Sequence, residues 1–390
     1  MTGAKRALFT NALLVFASVL STTLLIPAVR PFMASLSPKS ESAAHAFMAL
    51  SLLGAVVAAP FARGLSVRFG RSAHLATALA LSDVALLACI ALSRSVGLIL
   101  ALRLVQGGLN VTLLSLLLGA CPTQPGTRAG ARYGFLGAAM MLGVALGSPL
   151  GALGLRFGAR APLAAACLVE LLVVALVPLS RLEDVKPSEP APDARPWLPM
   201  AWVFAERLSI GLFVVTFAFH GRQCLGLSDS QVGFQLSAFM VPFVLAVHPA
   251  ARLGDRLGSP LLATVGLSLY GVGWFALRSA SNAELPVVLV VLGLTSSAVF
   301  AAAMREAGAA HGAGGRVQAM SALNSAGSLG MLIGTALAGI LSAVLRARGA
   351  DADAAHGVVF ITAGALQLSA ALLTAALPMI LGRGLRLMRN

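Results

Sequence analysis

Charge is what this sequence has least of. Only 11% of its 390 residues are Asp, Glu, Lys or Arg, against roughly 25% in an average soluble domain. Lysine is nearly missing, with Lys5, Lys39 and Lys186 its only examples. With 58% hydrophobic residues and a mean hydropathy of +0.89, a water-soluble fold is excluded, because no soluble core hides that much apolar surface. Cysteine is sparse too: Cys89, Cys121, Cys167 and Cys224 have no paired spacing. That rules out a disulfide scaffold and leaves small core residues or inert thiols. Three Trp and two Tyr do not make a cation-binding cage, and the six histidines show no H-E-x-x-H or other metal spacing. The glycine cluster Gly312–Gly315 lacks the lysine and following Ser or Thr of a phosphate loop. No metal, no cofactor and no nucleotide-driven chemistry is expected. Nothing resembles a paired acid and base either, so an enzyme is not expected.

What is present is apolar length. Runs of about 20 residues, enough to cross a bilayer as helices, fall near Leu8–Val29, Ala43–Ala62, Ala73–Leu92, Gly97–Leu118, Tyr133–Leu153 and Pro162–Leu179. Six more follow near Met200–His220, Gln231–His248, Pro260–Leu277, Leu285–Met304, Ala319–Leu345 and Val358–Leu381. Between the two sets, Arg181–Trp197 concentrates acids, bases and prolines and reads as a solvated linker. The expected organisation is all-α: a bundle over 1–180, a cytoplasmic linker over 181–198 and a second bundle over 199–390. The first run is too long for a cleavable signal peptide and has no small-residue cleavage site after it. The net charge of +14 does not point to nucleic acid, because the bases are spread along the chain between apolar runs. With both termini inside, 17 bases fall in inner segments and 9 in outer ones, while Arg103 and Arg207 sit inside spans. Both termini are therefore expected in the cytoplasm. The abundance of Arg, Ala and Gly suggests a GC-rich bacterial genome, hence the inner membrane, and a monomer in the lipid bilayer.

The two sets repeat each other. V-R-F-G-R at Val67–Arg71 recurs as D-R-L-G-S at Asp255–Ser259, so that Arg68 corresponds to Arg256. L-G-V-A-L-G at Leu142–Gly147 recurs as L-G-M-L-I-G at Leu329–Gly334, so that Gly143 corresponds to Gly330. The two offsets agree to a single position, which argues for a duplicated six-span unit. At these residues the chain resembles the major facilitator superfamily, which implies two six-helix halves and secondary transport. The family's loop pattern G-x-L-a-D-R-x-G-R between helices 2 and 3 is matched by Arg63–Arg71, which keeps Leu65, Arg68, Gly70 and Arg71 and has Val67 for the acid. The loop between helices 8 and 9, Ala251–Gly258, keeps the acid as Asp255, with Arg256 and Gly258. Helix 4 carries R-L-V-Q-G at Arg103–Gly107, similar to the R-x-x-Q-G pattern of drug/proton antiporters. Gly143, Gly147, Pro149 and Gly151 on helix 5 resemble the antiporter pattern G-x-x-x-G-P-x-x-G-G, with Ser148 intervening and Ala152 in place of the last glycine. The four-residue spacing of these glycines puts them on one face, where backbones approach closely. Pro149 removes one helical hydrogen bond. Close packing of Gly147 against a helix of the other half is expected.

Ionisable groups inside a membrane cost about 2.5–3.5 kcal/mol each on the insertion scale. Five lie on spans: Asp83, Arg103, Glu170, Glu206 and Arg207. The resemblance implies that helices 1, 4, 7 and 10 line a cavity, making Arg103, Glu206 and Arg207 cavity candidates and leaving Asp83 and Glu170 on peripheral helices. Glu206 is the first choice for a proton carrier, with Asp83 and Glu170 next, since burial favours a carboxyl's neutral form. An ion pair with Arg207 is its structural alternative. Arg103, which cannot release a proton, could hold an anionic substrate or balance charge. Helix 1 carries no acid. Gln106, Asn110 and Asn324 could supply hydrogen bonds to a small-molecule substrate, although such residues more often join helices. The expected function is proton-coupled efflux of a small, partly apolar solute or drug. A proton-coupled importer, and a non-transporting sensor or membrane enzyme, are the alternatives.

Overall fold

Prolines mark where several helices of this protein tighten into 3₁₀ turns, and two glycines mark where two of them end. The structure, a computed structural model, describes residues 3–36, 41–122, 128–186, 197–310 and 312–387. Among these, twelve helices are long and apolar enough to cross a membrane. They are α1 Lys5–Ala34, α2 Ser42–Phe69, α3 Ser72–Leu92, α4 Val96–Gly119, α5 Ala129–Phe157, α6 Ala161–Leu179, α7 Trp197–Gln223, α8 Ser230–Leu257, α9 Ser259–Ser279, α10 Leu285–Gly308, α11 Gly312–Ala347 and α12 Ala352–Ala376. No strand occurs among the described residues.

A missing proline N–H tightens the local turn. Pro27, Pro60 and Pro178 each sit at the start of a 3₁₀ turn, at Ile26–Ala28, Ala59–Phe61 and Val177–Leu179, within or at the end of a span. Pro149, Pro242 and Pro249 are carried inside longer helices without ending them. This moves several expected boundaries. α2 continues past the expected end at Ala62 to Phe69, and α8 past the expected end at His248 to Leu257. Most of the two motifs expected as loops is therefore helical. The chain reverses at Gly70 (φ 70°) and Gly258 (φ 86°), where a side chain would be strained. Similarly α11 starts at Gly312, so its glycine cluster is helix rather than loop.

The membrane inverts the soluble rule of apolar inside and polar outside. Leu168, Leu172, Leu245, Leu372 and Leu373 are exposed, as residues facing lipid tails should be. Most polar side chains on the spans point inward or bond their own helix, as Thr112 does to the Gly108 carbonyl at 2.8 Å.

The chain divides into two compact units. The first is Met1–Pro196 with Ala307–Leu329; the second is Trp197–Glu306 with Gly330–Asn390. Within the first, α1 packs on α5 and α6, α2 on α4, and α3 on α4 and α6. The expected solvated linker begins docked: Asp184 Oδ1 accepts from the Ser72 amide at 3.0 Å, and Ser72 Oγ donates to the Glu183 carbonyl at 2.7 Å. These bonds satisfy the first turn of α3, and Val185 is buried. The rest of that stretch, 187–196, lies outside the described residues. Also in the first unit, Arg316 Nε donates to the Gly119 carbonyl at 2.9 Å and the same guanidinium pairs with Glu183. Within the second unit, α12 packs on α7 and α9. Gln367 Nε2 bonds the Ala205 carbonyl and Ser209 Oγ, both at 2.6 Å, and Trp202 Nε1 donates to Thr374 Oγ1 at 3.0 Å.

The repeat seen in the sequence is also a repeat of contacts. A Cβ on Gly143 of α5 would meet the Phe16 carbonyl and the Leu20 amide, at 2.8 and 3.2 Å. On Gly330 of α11 it would meet the Phe204 carbonyl and the Leu208 amide, the latter at 3.1 Å. The offset that carries Arg68 to Arg256 also carries Phe16 to Phe204 and Leu20 to Leu208. Likewise Gly107 of α4 packs on the Ser51 carbonyl and Gly293 of α10 on the Phe239 carbonyl, and the same offset carries Ser51 to Phe239.

Candidate functional site

Glu206 is fully buried on α7, one residue from an arginine that is not. Ser296 Oγ of α10 donates to its Oε1 at 2.7 Å. Arg207 Nε lies 3.3 Å from Oε2, with the Arg207 side chain 17% exposed. The guanidinium stands over the Phe300 ring at 5.2 Å and near Phe243 at 6.0 Å, distances at which an aromatic face attracts a cation. Tyr270 of α9 interacts with the same carboxyl. Glu206 is thus held by one neutral hydroxyl and an arginine whose charge is shared with two rings. Such a site can hold a carboxylate or a carboxylic acid with little rearrangement.

The first unit contains a second buried polar group. Arg103 and Gln106 lie one helical turn apart on α4, and the Arg103 guanidinium bonds Gln106 Oε1. That turn explains the R-x-x-Q spacing. Arg103 is 2% exposed and sits 4.7 Å over the Phe47 ring of α2. Asp83 of α3 interacts with both Arg103 and Gln106, and Glu170 of α6 interacts with Asp83 and with Ser21 of α1. Both carboxyls are fully buried. Asp83 and Glu170, expected on peripheral helices, therefore share one cluster with Arg103, expected to face a cavity. Sequence could not join them, because three different helices supply the groups. Asn110 is half-buried on the same helix. Asn324, also of the first unit, donates to Ser115 Oγ of α4 at 3.4 Å.

At the loop motifs, Arg68, Gly70 and Arg71 are exposed. In the second copy Asp255 pairs with Arg305 of α10, Nε to Oδ1 at 3.0 Å, and Arg305 also donates to Ser259 Oγ at 2.7 Å. Arg256 is exposed and Gly258 half-buried. The first copy, with Val67 at the acid's place, fastens Ser72 to Asp184 and Glu183 instead.

The glycine face of α5 has a different partner from the one expected. Cβ atoms on Gly143, Gly147 and Gly151 would run into Phe16, Thr23 and Leu24 of α1, a helix of the same half. Thr23 Oγ1 also donates to the Gly143 carbonyl at 3.0 Å. The face needs its small residues for packing inside the first unit, while Pro149 points outward.

Sequence reasoning also missed a group near the far end of α7. His220 and Cys224 are joined there by His356, from the start of α12. The first two share a helical face, but the third comes from a distant part of the chain.

Comparison with known proteins places this arrangement. The family model of the Major Facilitator Superfamily matches residues 12–223 and again 203–381. The chain belongs to the major facilitator superfamily. It is a multi-pass membrane transporter and not an enzyme. The same fold recurs in solved structures of other transporters. The human organic anion transporter MFSD10 (TETRAN) is similar at a TM-score of 0.76 and 17% identity, over 96% of this chain and 100% of that one. The proton:xylose symporter XylE, bound to 6-bromo-6-deoxy-D-glucose, is similar at a TM-score of 0.71 and 16% identity, over 94% of this chain and 95% of that one. No curated protein sequence matches significantly. Major facilitators are secondary transporters, so the chain works on a small-molecule substrate across a lipid bilayer.

Proposed function

We propose that this transporter exports a small, partly apolar solute in exchange for protons, with Glu206 as the carboxyl that carries the proton. The observation that supports this reading is the environment of Glu206: a buried carboxyl bonded to a neutral hydroxyl, beside an arginine that is partly exposed and stacked on aromatic rings. Losing or gaining a proton there leaves no buried arginine stranded, since Arg207 keeps its rings and its access to the surface. The Arg103 cluster has the opposite character, and its cation is assigned to charge balance for Asp83. Export is favoured by R-x-x-Q-G on α4 and the glycine–proline pattern of α5. The protein works as a monomer in a bacterial inner membrane with both termini cytoplasmic, and it binds no nucleic acid. The reversals at Gly70 and Gly258, with Arg68, Arg71, Asp255 and Arg256, serve closure of the inner side.

The test is a compound panel in proteoliposomes with an imposed pH gradient. Wild type is expected to move at least one apolar solute against the proton gradient, while Glu206→Gln binds it but does not accumulate it. Movement of solute in the same direction as protons would replace export by import. Full accumulation by Glu206→Gln would return Glu206 to a structural role.

A further inference from the structure

The end of α7 and the start of α12 bring together side chains that the transport cycle, as proposed, does not use. A ring nitrogen of His220, the sulfur of Cys224 and a ring nitrogen of His356 all lie within 4.8 Å of one another. His220 and Cys224 are one helical turn apart: the Cys224 amide donates to the His220 carbonyl at 2.9 Å, so both side chains leave the same face. His356 comes from the facing helix, its Nδ1 3.7 Å from Cys224 Sγ. The two imidazoles stand nearly perpendicular, at 85° with centroids 5.8 Å apart. Both histidines are buried, and His220 Nδ1 has no hydrogen-bond partner among the described residues. From this geometry we propose that His220, Cys224 and His356 form a binding site for a thiophilic metal ion of the zinc class.

The distance between the sulfur and the His356 nitrogen suits that ion. Zinc bonds of about 2.3 Å to sulfur and 2.0–2.1 Å to nitrogen, at a tetrahedral angle, put S and N about 3.6 Å apart. The observed 3.7 Å between Sγ and Nδ1 needs almost no adjustment. One thiolate with two imidazoles is a donor set for zinc rather than for magnesium or calcium, which take oxygen. Cys224 is only half-buried, which leaves an entry path and a fourth position for solvent.

Among the described residues, four charged groups act on the site: Asp351, Asp353, Arg278 and Arg346. Asp353 Oδ1 lies 3.9 Å from His220 Nδ1, and the Asp353 carboxylate is held by Arg278 at 2.8 Å. At 3.9 Å the carboxylate makes no hydrogen bond to the His220 nitrogen, and a small rotation of the ring would bring it to the place of an outer carboxylate on a metal-bound histidine. Arg346 lies 3.4 Å from His356 Nε2 but also donates to Gln223 Oε1 at 2.8 Å. Without metal, the arginine can donate to Nε2 while Nδ1–H faces the sulfur. With metal, the Nδ1 proton moves to Nε2, Arg346 gives up its contact with that nitrogen and turns wholly to Gln223, and the Cys224 thiol releases its proton to solvent as sulfur bonds the ion. Because the ion displaces that proton, binding strengthens as pH rises.

The experiment uses the full chain, purified in detergent through a tag without histidine, stripped with a chelator and dialysed against zinc or cobalt. Wild type should retain about one zinc per chain, and its cobalt form should show tetrahedral bands and a thiolate-to-cobalt charge-transfer band. Cys224→Ser should lose that band, and His356→Gln should lose stoichiometric zinc, while both elute as the same monodisperse peak as wild type. Should a variant fail to elute so, protection of Cys224 from alkylation by zinc in wild type decides the question. No retained zinc and no protection in wild type, or unchanged cobalt spectra in a folded Cys224→Ser, would overturn the site.

Discussion

Asp83 and Arg103 show what a buried charge does when its partner comes from another helix. Each is sealed from water, and each is the other's electrostatic neighbour. Removing one member of a contacting buried pair costs about 3–5 kcal/mol; the Asp83 oxygens have no hydrogen-bond partner among the described residues, so the coupling expected here is smaller than that. Arg103→Met, which also removes the bond to Gln106 and the contact with the Phe47 ring, is expected to lower the unfolding temperature, and Asp83→Leu combined with Arg103→Met to recover part of the loss. A double variant no more stable than the single one would show that the pair is not the unit of stability. The sequence marked both residues as costly, because an ionisable group in an apolar run is visible without a structure. Their pairing was not visible, since nothing in a one-dimensional pattern says which faces of α3 and α4 meet. The Arg103–Gln106 bond is the exception, because a spacing of three on one helix already implies it. His220, Cys224 and His356 illustrate both cases at once: the first two are a readable helical turn, and the third arrives from another span.

Helix seams are governed by small residues, and the consequences differ within a single element. On α11, a Cβ at Gly334 would overlap the Leu208 carbonyl of α7, while one at Gly339 would meet nothing within 4 Å among the described residues. Gly334→Ala should therefore destabilise the protein by about 1–3 kcal/mol. Gly339→Ala should be neutral or stabilising by about 0.5–1 kcal/mol, since alanine favours the helix. Thermal unfolding in detergent reads both, and equal effects would contradict the packing described. On α5, Gly147→Ala should behave like Gly334→Ala through its overlap with Thr23. The four-residue spacing made this tight seam legible but could not name the partner, because a smooth face fits any smooth helix. The structure chose α1 of the same half. Helix ends were read within a few residues where charges or glycines bounded them. They were set short at Ala62 and His248, where the spans continue to Phe69 and Leu257 with Pro60 and Pro249 carried inside them. In a membrane a broken helical hydrogen bond can be tolerated when neighbouring helices, side chains or water supply partners.

For the whole molecule, the number of spans and the internal repeat were legible because both leave long-range periodic marks: apolar length, and motifs such as those at Arg68 and Gly143 that recur at Arg256 and Gly330. The equivalence of the Gly143–Phe16 and Gly330–Phe204 contacts gives that repeat a physical basis, since each unit closes one seam in the same way. The proposed orientation rests on charge: a cysteine placed at Ser188 should resist a membrane-impermeant thiol label in intact cells whose Cys224 is replaced by Ser. Rapid labelling would reverse the proposed topology. Substrate was not legible, because a solute is recognised by the arrangement of many weak contacts rather than by a motif. The measurement that tests the account most directly follows protons rather than solute. A pH-sensitive dye sealed inside proteoliposomes should report proton movement when a transported compound is added to wild type, and none with Glu206→Gln, although that variant still binds the compound. Equal proton movement by the two proteins would contradict the assignment of Glu206 as proton carrier.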